Sequence, residues 1–374
     1  MDRPVSTSKA SLDEGRKRFE CAFRVLEEAI AARAFPGCAF GVLAGGEVAL
    51  EGALGRFTYD AAAPAVRLDT NWDLASVTKV VATTAAAMLL HQRGLLDLET
   101  PLGELLPGFV VGRPGGDRAR HVALRHLLAH SSGLPGYVEF FRTATTPAEL
   151  LRACLALTLE AEPGTRAEYS DPGFILLGKA LEVLMRENLA AWTQREIFDP
   201  LKLSGTRFCP PMALRSSIPP TEEDAGFRHR RIQGEVQDEN AWVLKGVAGH
   251  AGLFSNVPDL LRFAGEILRS VEKAGAESGG LYEGETVRLF AERQMPEGSS
   301  RALGWDTPSE DSTSGKHFSR HSIGHLGFSG CSIWIDLEGG VAVALLTNRT
   351  WPDRTNRRIR EVWPVFHDAI REAL

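Results

Sequence analysis

The chain has 374 residues, 44% of them hydrophobic and 24% charged, the balance of an ordinary globular protein and far from that of a disordered one. At ~150 residues per domain this is roughly two domains' worth of folding material, enough for a sizeable core. Lys plus Arg number 42 against 48 for Asp plus Glu, a formal charge of −6 with no long basic run, which argues against a phosphate-neutralising nucleic-acid surface.

Five cysteines, at 21, 38, 154, 209 and 331, are odd in number and never closer than 17 residues. That spacing excludes C-x-x-C redox or metal motifs and argues against a disulfide framework. The first twenty residues are charge-rich and lack an apolar signal core, and no later run approaches the ~18 apolar residues of a membrane span. A cytoplasmic protein without membrane association is expected.

In chain order, Phe19, Phe23, Leu26, Ala29 and Ile30 recur at helical spacing within residues 12–33, and Phe35-Pro36-Gly37 stops the run. Residues 38–43 and 48–54, joined across Gly45-Gly46, predict a β-hairpin. The middle of the chain, residues 76–293, is dominated by helical patterns at 77–93, 124–130, 174–187 and 259–268. Residues 272–284, rich in Gly, Ala and Glu, read as a mobile surface loop. Residues 331–335 and 341–346 predict a second hairpin, and a helix follows Pro352. The expected architecture is α/β (α+β): an antiparallel sheet built from 1–75 and 294–374 and flanked by helices, with a mostly helical subdomain, 76–293, inserted and a cleft between the two.

Ser-x-x-Lys, one way to pair a nucleophilic hydroxyl with a base, occurs three times, at Ser6/Lys9, Ser76/Lys79 and Ser270/Lys273. Only Ser76 opens a long apolar helix, Val77, Val80, Val81, Ala85, Met88 and Leu89, which Gly94 terminates. At a helix N-terminus the free N–H groups and the dipole favour developing negative charge, and Lys79 lies on the same face as Ser76. Burial is expected to depress the lysine's pKa and free it as a proton acceptor. From this segment alone, a serine cap followed by an exposed lysine reads at least as well.

Tyr169-Ser170-Asp171 lies on a turn after Pro163-Gly164 and before Pro172-Gly173, where a tyrosine can share a proton with Lys79 and protonate a leaving group. A third element, a cation or donor followed two residues on by glycine at a strand edge, matches Lys273-x-Gly275, His250-x-Gly252 and His325-x-Gly327. Only His325-Leu326-Gly327-Phe328 leads directly into a strand.

Ser76-x-x-Lys79, Tyr169-x-Asp171 and His325-x-Gly327, in that order and 93 and 156 residues apart, resemble the serine β-lactamase and penicillin-binding-protein superfamily. The similarity is to its class C-like branch, and it extends to the blocks Leu124 to Pro135 and Ala248 to Ser255. Within the superfamily the wording around residues 236–241, Gly249-His250 and 346–349 resembles N-acetylmuramyl-L-alanine amidases acting on cell-wall fragments.

The resemblance implies a β-lactamase-like fold and a serine hydrolase working through an acyl-enzyme. Ser76, Lys79 and Tyr169 would be catalytic, and the N–H groups of Ser76 and Phe328 would form the oxyanion hole. Asp171, His325, Gly327 and His250 would contact or orient the substrate. A muropeptide or other small molecule is the expected substrate, with a carboxylesterase, a weak β-lactamase or DD-peptidase, or a non-catalytic penicillin-binding-like sensor as alternatives.

Two departures from the superfamily pattern stand out. Asp171 replaces the usual Asn and can only accept when ionised, so its contact with Lys79 becomes a charge pair. His325-Leu326 replaces Lys-Thr, removing the fixed charge and hydroxyl that hold a substrate carboxylate. No cofactor is expected. His317, His321 and His325 are spaced by four, but the glycines at 315, 324, 327 and 330 argue against the helix a metal site would need.

Overall fold

The computed structural model describes residues 16–111, 116–272 and 279–374. Residues 12–15 of the first predicted helix, Ser6/Lys9, Lys273-x-Gly275 and residues 273–278 of the predicted 272–284 loop lie outside them. Ten strands are described: β1 (Gly37–Ala44), β2 (Glu47–Gly55), β3 (Trp72–Asp73), β4 (Arg207–Phe208), β5 (Pro220–Asp224), β6 (Arg230–Gln233), β7 (Leu253–Ser255), β8 (Ser322–Leu326), β9 (Ser332–Asp336) and β10 (Val341–Thr347). Five form one antiparallel sheet in the order β2-β1-β10-β9-β8. Chain-end strands meet at its centre, with Cys38 opposite Thr347 and Val42 opposite Val343. The turn between β1 and β2 is Gly45-Gly46, both at positive φ, as a two-residue hairpin requires.

The principal helices are α1 (Glu20–Ala31), α2 (Ala85–Gln92), α3 (Asp171–Met185), α4 (Val257–Glu272) and α5 (Ile359–Glu372). Phe40, Val42, Val343 and Leu345 point to one face of the sheet, where Phe23 and Leu26 of α1 and Phe366 and Ile370 of α5 cover them. Ala39, Ala342, Ala344 and Leu346 point to the other, against Leu260, Leu261 and Ala264 of α4. With both faces covered, the strands read as nearly continuous apolar runs. Each fully buried large side chain contributes ~1.5–3 kcal/mol relative to exposure.

The middle of the chain holds more strand than its pattern implies. β3, β7 and β4 form a small antiparallel sheet and β5–β6 a hairpin. Pro220-Thr221-Glu222-Glu223-Asp224 has no apolar alternation, because its buried carboxylates are paired: Asp224 with Arg228, and Glu222 with Arg354. Among the described residues no helix is long and apolar enough to cross a membrane.

Candidate active site

β3 pairs with β7, and Leu74 N–H continues the ladder to Leu253 O at 3.0 Å. The chain then turns sharply: Ala75 takes φ +46°, a left-handed value that L-residues with a Cβ rarely adopt, and a 3₁₀ turn spans Ala75–Val77. The buried Asp73 carboxylate fixes this corner, accepting from Ala75 N–H (2.9 Å) and Gln237 N–H (2.7 Å). Burial pushes its pKa up to about 6, against those two bonds. The predicted helix 77–93 thus starts as a 3₁₀ turn and passes through a π-helical segment, Lys79–Thr84, before becoming α2. Ser76 emerges half-buried at its start.

The Lys79 side chain is fully buried, and its ammonium donates to Ser76 Oγ (3.0 Å), Asp171 Oδ1 (2.6 Å) and His250 O (3.1 Å). Three acceptors use all three hydrogens of a protonated amine. Burial lowers the lysine's pKa, but the Asp171 carboxylate and the Tyr169 hydroxyl beside it outweigh that effect and hold it above its ordinary value. The sequence-based expectation of a depressed lysine is therefore corrected, because desolvation is overridden by a carboxylate in direct contact.

Tyr169 is set by the segment 130–136. Glu168 N–H donates to His130 O (2.8 Å), Ser170 N–H to His130 Nδ1 (2.9 Å) and Asp171 N–H to Gly136 O (2.9 Å). Ser170 caps α3 through Gly173 N–H, which leaves Asp171 in the first turn, facing Lys79. Lys79 Nζ lies 4.8 Å from the Tyr169 ring centroid. The Tyr169 hydroxyl is buried beside Lys79 and Ser76, and among the described residues it makes no well-aligned hydrogen bond. Burial raises its pKa against the pull of Lys79, so it is a neutral phenol at rest.

The third motif lies on β8, the edge strand of the large sheet. His325 Nδ1 is 2.7 Å from Leu326 O; a carbonyl only accepts, so Nδ1 carries the hydrogen and the buried Nε2 is left as an unpartnered acceptor. Burial, with Lys79 and Arg301 near, holds His325 well below its usual pKa and keeps it neutral. A Cβ on Gly327 would meet Leu74 O at 2.4 Å, so glycine is what allows β8 to approach the nucleophile's corner. Ser329 Oγ fastens the same approach by donating to Asp73 O (2.7 Å). Phe328 is half exposed beside it, with the Arg349 guanidinium 4.3 Å above its ring.

Ser76, Lys79, Tyr169, Asp171, His325 and Gly327 are thereby brought together from three separate stretches of chain. His250 joins them through its backbone carbonyl. Its side chain is fully buried and pairs through Nε2 with Asp238 (2.9 Å), whose pKa is lowered to about 2 because His250 and neighbouring donors outweigh its burial. His317 and His321 are exposed at the surface, away from this cluster.

Sequence reasoning gave no catalytic-site role to His130, whose ring lies 4.6 Å from that of Tyr169, or to Arg301, 5.2 Å from it on a loop far along the chain. His130 carried a signal only as part of the block Leu124 to Pro135. Arg301 carried none.

A helix-borne serine bound to a buried lysine, under a tyrosine loop and against a sheet edge, defines a serine hydrolase of β-lactamase-like fold. The chain belongs to the Beta-lactamase family, whose sequence model matches residues 22–363. It is 30% identical to an N-acetylmuramyl-L-alanine amidase of Bacillus subtilis (strain 168), over 89% of this chain and 81% of that one. It is 29% identical to a putative D-alanyl-D-alanine carboxypeptidase of Salmonella typhi, over 79% of this chain and 73% of the relative. Among solved structures it resembles EstCE1, a hydrolase with promiscuous acyltransferase activity (TM-score 0.77, 20% identity, 96% and 99% of the two chains covered).

Proposed function

We propose that this hydrolase cleaves the amide joining a muramyl lactyl group to L-alanine in peptidoglycan fragments, through an acyl-enzyme on Ser76. Ser76 Oγ attacks the carbonyl carbon, and its proton passes to the Lys79–Tyr169 pair. The N–H groups of Ser76 and Phe328 hold the oxyanion, and Tyr169 returns a proton to the departing amine. Water then attacks the Ser76 ester, the same pair takes the water's proton, and the acid leaves as Ser76 regains its own. Asp171 and His325 orient the substrate, and His250 supports Lys79 through its carbonyl.

At rest Lys79 is an ammonium and Tyr169 a phenol, so the active form carries one proton fewer on this pair and activity rises with pH. The observation that supports the substrate most directly is the similarity to the Bacillus subtilis amidase along 89% of the chain. Mass spectrometry of N-acetylmuramyl peptides incubated with wild type and Ser76→Ala tests it. Release of L-Ala-peptide by wild type alone is expected. Rapid turnover of short-chain esters with muropeptides left intact would replace the amidase with an esterase.

A further inference from the structure

The chain leaves β8 through a tight turn. Gly327 N–H donates to Cys331 O (2.7 Å) and Gly330 N–H to Gly327 O (2.9 Å), closing the four residues Gly327-Phe328-Ser329-Gly330, with Gly330 at φ +102°. In a trans peptide the N–H points opposite to the C=O, so a Gly327 carbonyl turned inward sends the Phe328 N–H outward. Among the described residues that N–H has no partner.

The next two carbonyls of the turn, those of Phe328 and Ser329, both go to Arg349, just past the end of β10. Its backbone N–H donates to Ser329 O (2.9 Å) and its Nε to Phe328 O (2.7 Å). Its Nη1 donates to the carbonyls of Arg354 (2.9 Å) and Asn356 (2.6 Å). Arg349 is buried, and among the described residues it has no ion pair, because the nearby Glu222 carboxylate bonds Arg354 instead. Burial first, and then Arg360, Arg357 and Arg354, push its pKa down to about 10, so it is still a cation at neutral pH. Burying a cation without a counter-ion is costly, and this one spends its donors on main-chain carbonyls. The other side of the turn is fastened to the nucleophile's corner, by Ser329 Oγ on Asp73 O and by the close approach of Gly327 to Leu74 O. The Phe328 N–H is thus clamped between two anchors, one on the segment that carries Ser76 and one on Arg349.

We infer that Arg349 is a positioning residue of the oxyanion hole: it fixes the peptides that follow Phe328 and so keeps the Phe328 N–H aimed at the acyl carbonyl oxygen. It touches neither substrate nor Ser76 and acts through the turn alone. The inference rests on the acyl-enzyme reading in which the N–H groups of Ser76 and Phe328 hold the oxyanion, and it holds for whatever acyl group is cleaved. A deleted oxyanion donor costs ~10²–10³ in kcat, and a donor that is present but misaimed costs less.

The test compares wild type, Arg349→Met and Arg349→Lys in p-nitrophenyl acetate hydrolysis and in inhibition by phenylboronic acid, whose tetrahedral adduct on Ser76 sets an oxygen where the oxyanion forms. Arg349→Met should lose about ten- to a hundredfold in kcat/KM, mostly in kcat, and its affinity for the boronic acid should fall by a similar factor. Arg349→Lys, which can still donate to one of the carbonyls, should recover part of both losses. Variants that are less stable to urea but unchanged in kcat and in boronic acid affinity would make Arg349 a brace for the fold and overturn the inference. A fall in kcat with boronic acid affinity unchanged overturns it as well. Should Arg349→Met fail to fold, Arg349→Lys, which keeps the cation and most of the stem, decides by the same two readouts. No muramyl amide is used, so failure of the amidase reading leaves the test intact, whereas a wild type that phenylboronic acid does not inhibit would remove the acyl-enzyme reading and this inference with it.

Discussion

Lys79 carries the tension of the site. Its amine is buried, which disfavours charge, yet Asp171 at 2.6 Å favours it, and the second effect wins. Replacing Asp171 by Asn removes the opposing charge while keeping the side chain's size, which leaves desolvation to act and lowers the lysine's pKa. If the active form is the one with a proton fewer on Lys79–Tyr169, the rising limb of kcat/KM against pH moves to lower pH in Asp171→Asn. A limb that stays in place would show that Lys79 is not the group titrating. Asp171 was conspicuous in the sequence as the wrong letter for its motif. The lysine's charge was not legible, because it depends on a distance between residues 92 positions apart.

At the level of the element, the nucleophile's corner is a short piece of chain held from three sides. Asp73 ties it to Gln237, β7 pairs with β3, and Ser329 bonds back to Asp73 O. These ties hold Ala75 at a φ that costs an L-residue roughly 1–2 kcal/mol. Ala75→Gly releases that strain, so urea unfolding should show about 1 kcal/mol more stability. The same substitution loosens the presentation of Ser76 and should lower kcat. A fall in stability would place the strain elsewhere.

The helix after Ser76 was legible from its apolar spacing, with Gly94 ending it at φ +68°. The π-helical turn over Lys79–Thr84 was not, since π and α registers share the same residue preferences and differ only in what packs on them.

On the scale of the whole molecule, packing two chain ends into one sheet buries a titratable side chain. His367 of α5 is fully enclosed against Phe318 and Phe366, its Nδ1–H bonded to Thr313 O at 2.6 Å, and burial pushes its pKa down to about 4. The unfolded histidine binds a proton below ~6.5 while the folded one does not, so stability is intact above that pH and falls as pH drops from 6.5 toward 4. Between pH 7.5 and 5 the loss from this residue is roughly 2 kcal/mol. Urea titrations of wild type and His367→Phe at the two pH values should differ by that amount. An equal drop in both proteins would assign the acid sensitivity to other groups.

The two terminal hairpins, the nucleophile's helix and the order of the three motifs follow from the sequence alone. Each is encoded by neighbours within a few residues: alternation for strands, spacing of 3–4 for helices, glycine where a turn demands it. Tertiary structure alone decided that Lys79 is charged, that His250 contributes its carbonyl while its side chain is buried, that His130 anchors the tyrosine loop, and that Arg301 stands beside the Tyr169 ring. Such properties depend on distances and burial created when remote segments pack. A single arginine on a loop has no periodicity to betray it, and a pKa is set by the charges and solvent that the fold places around a group.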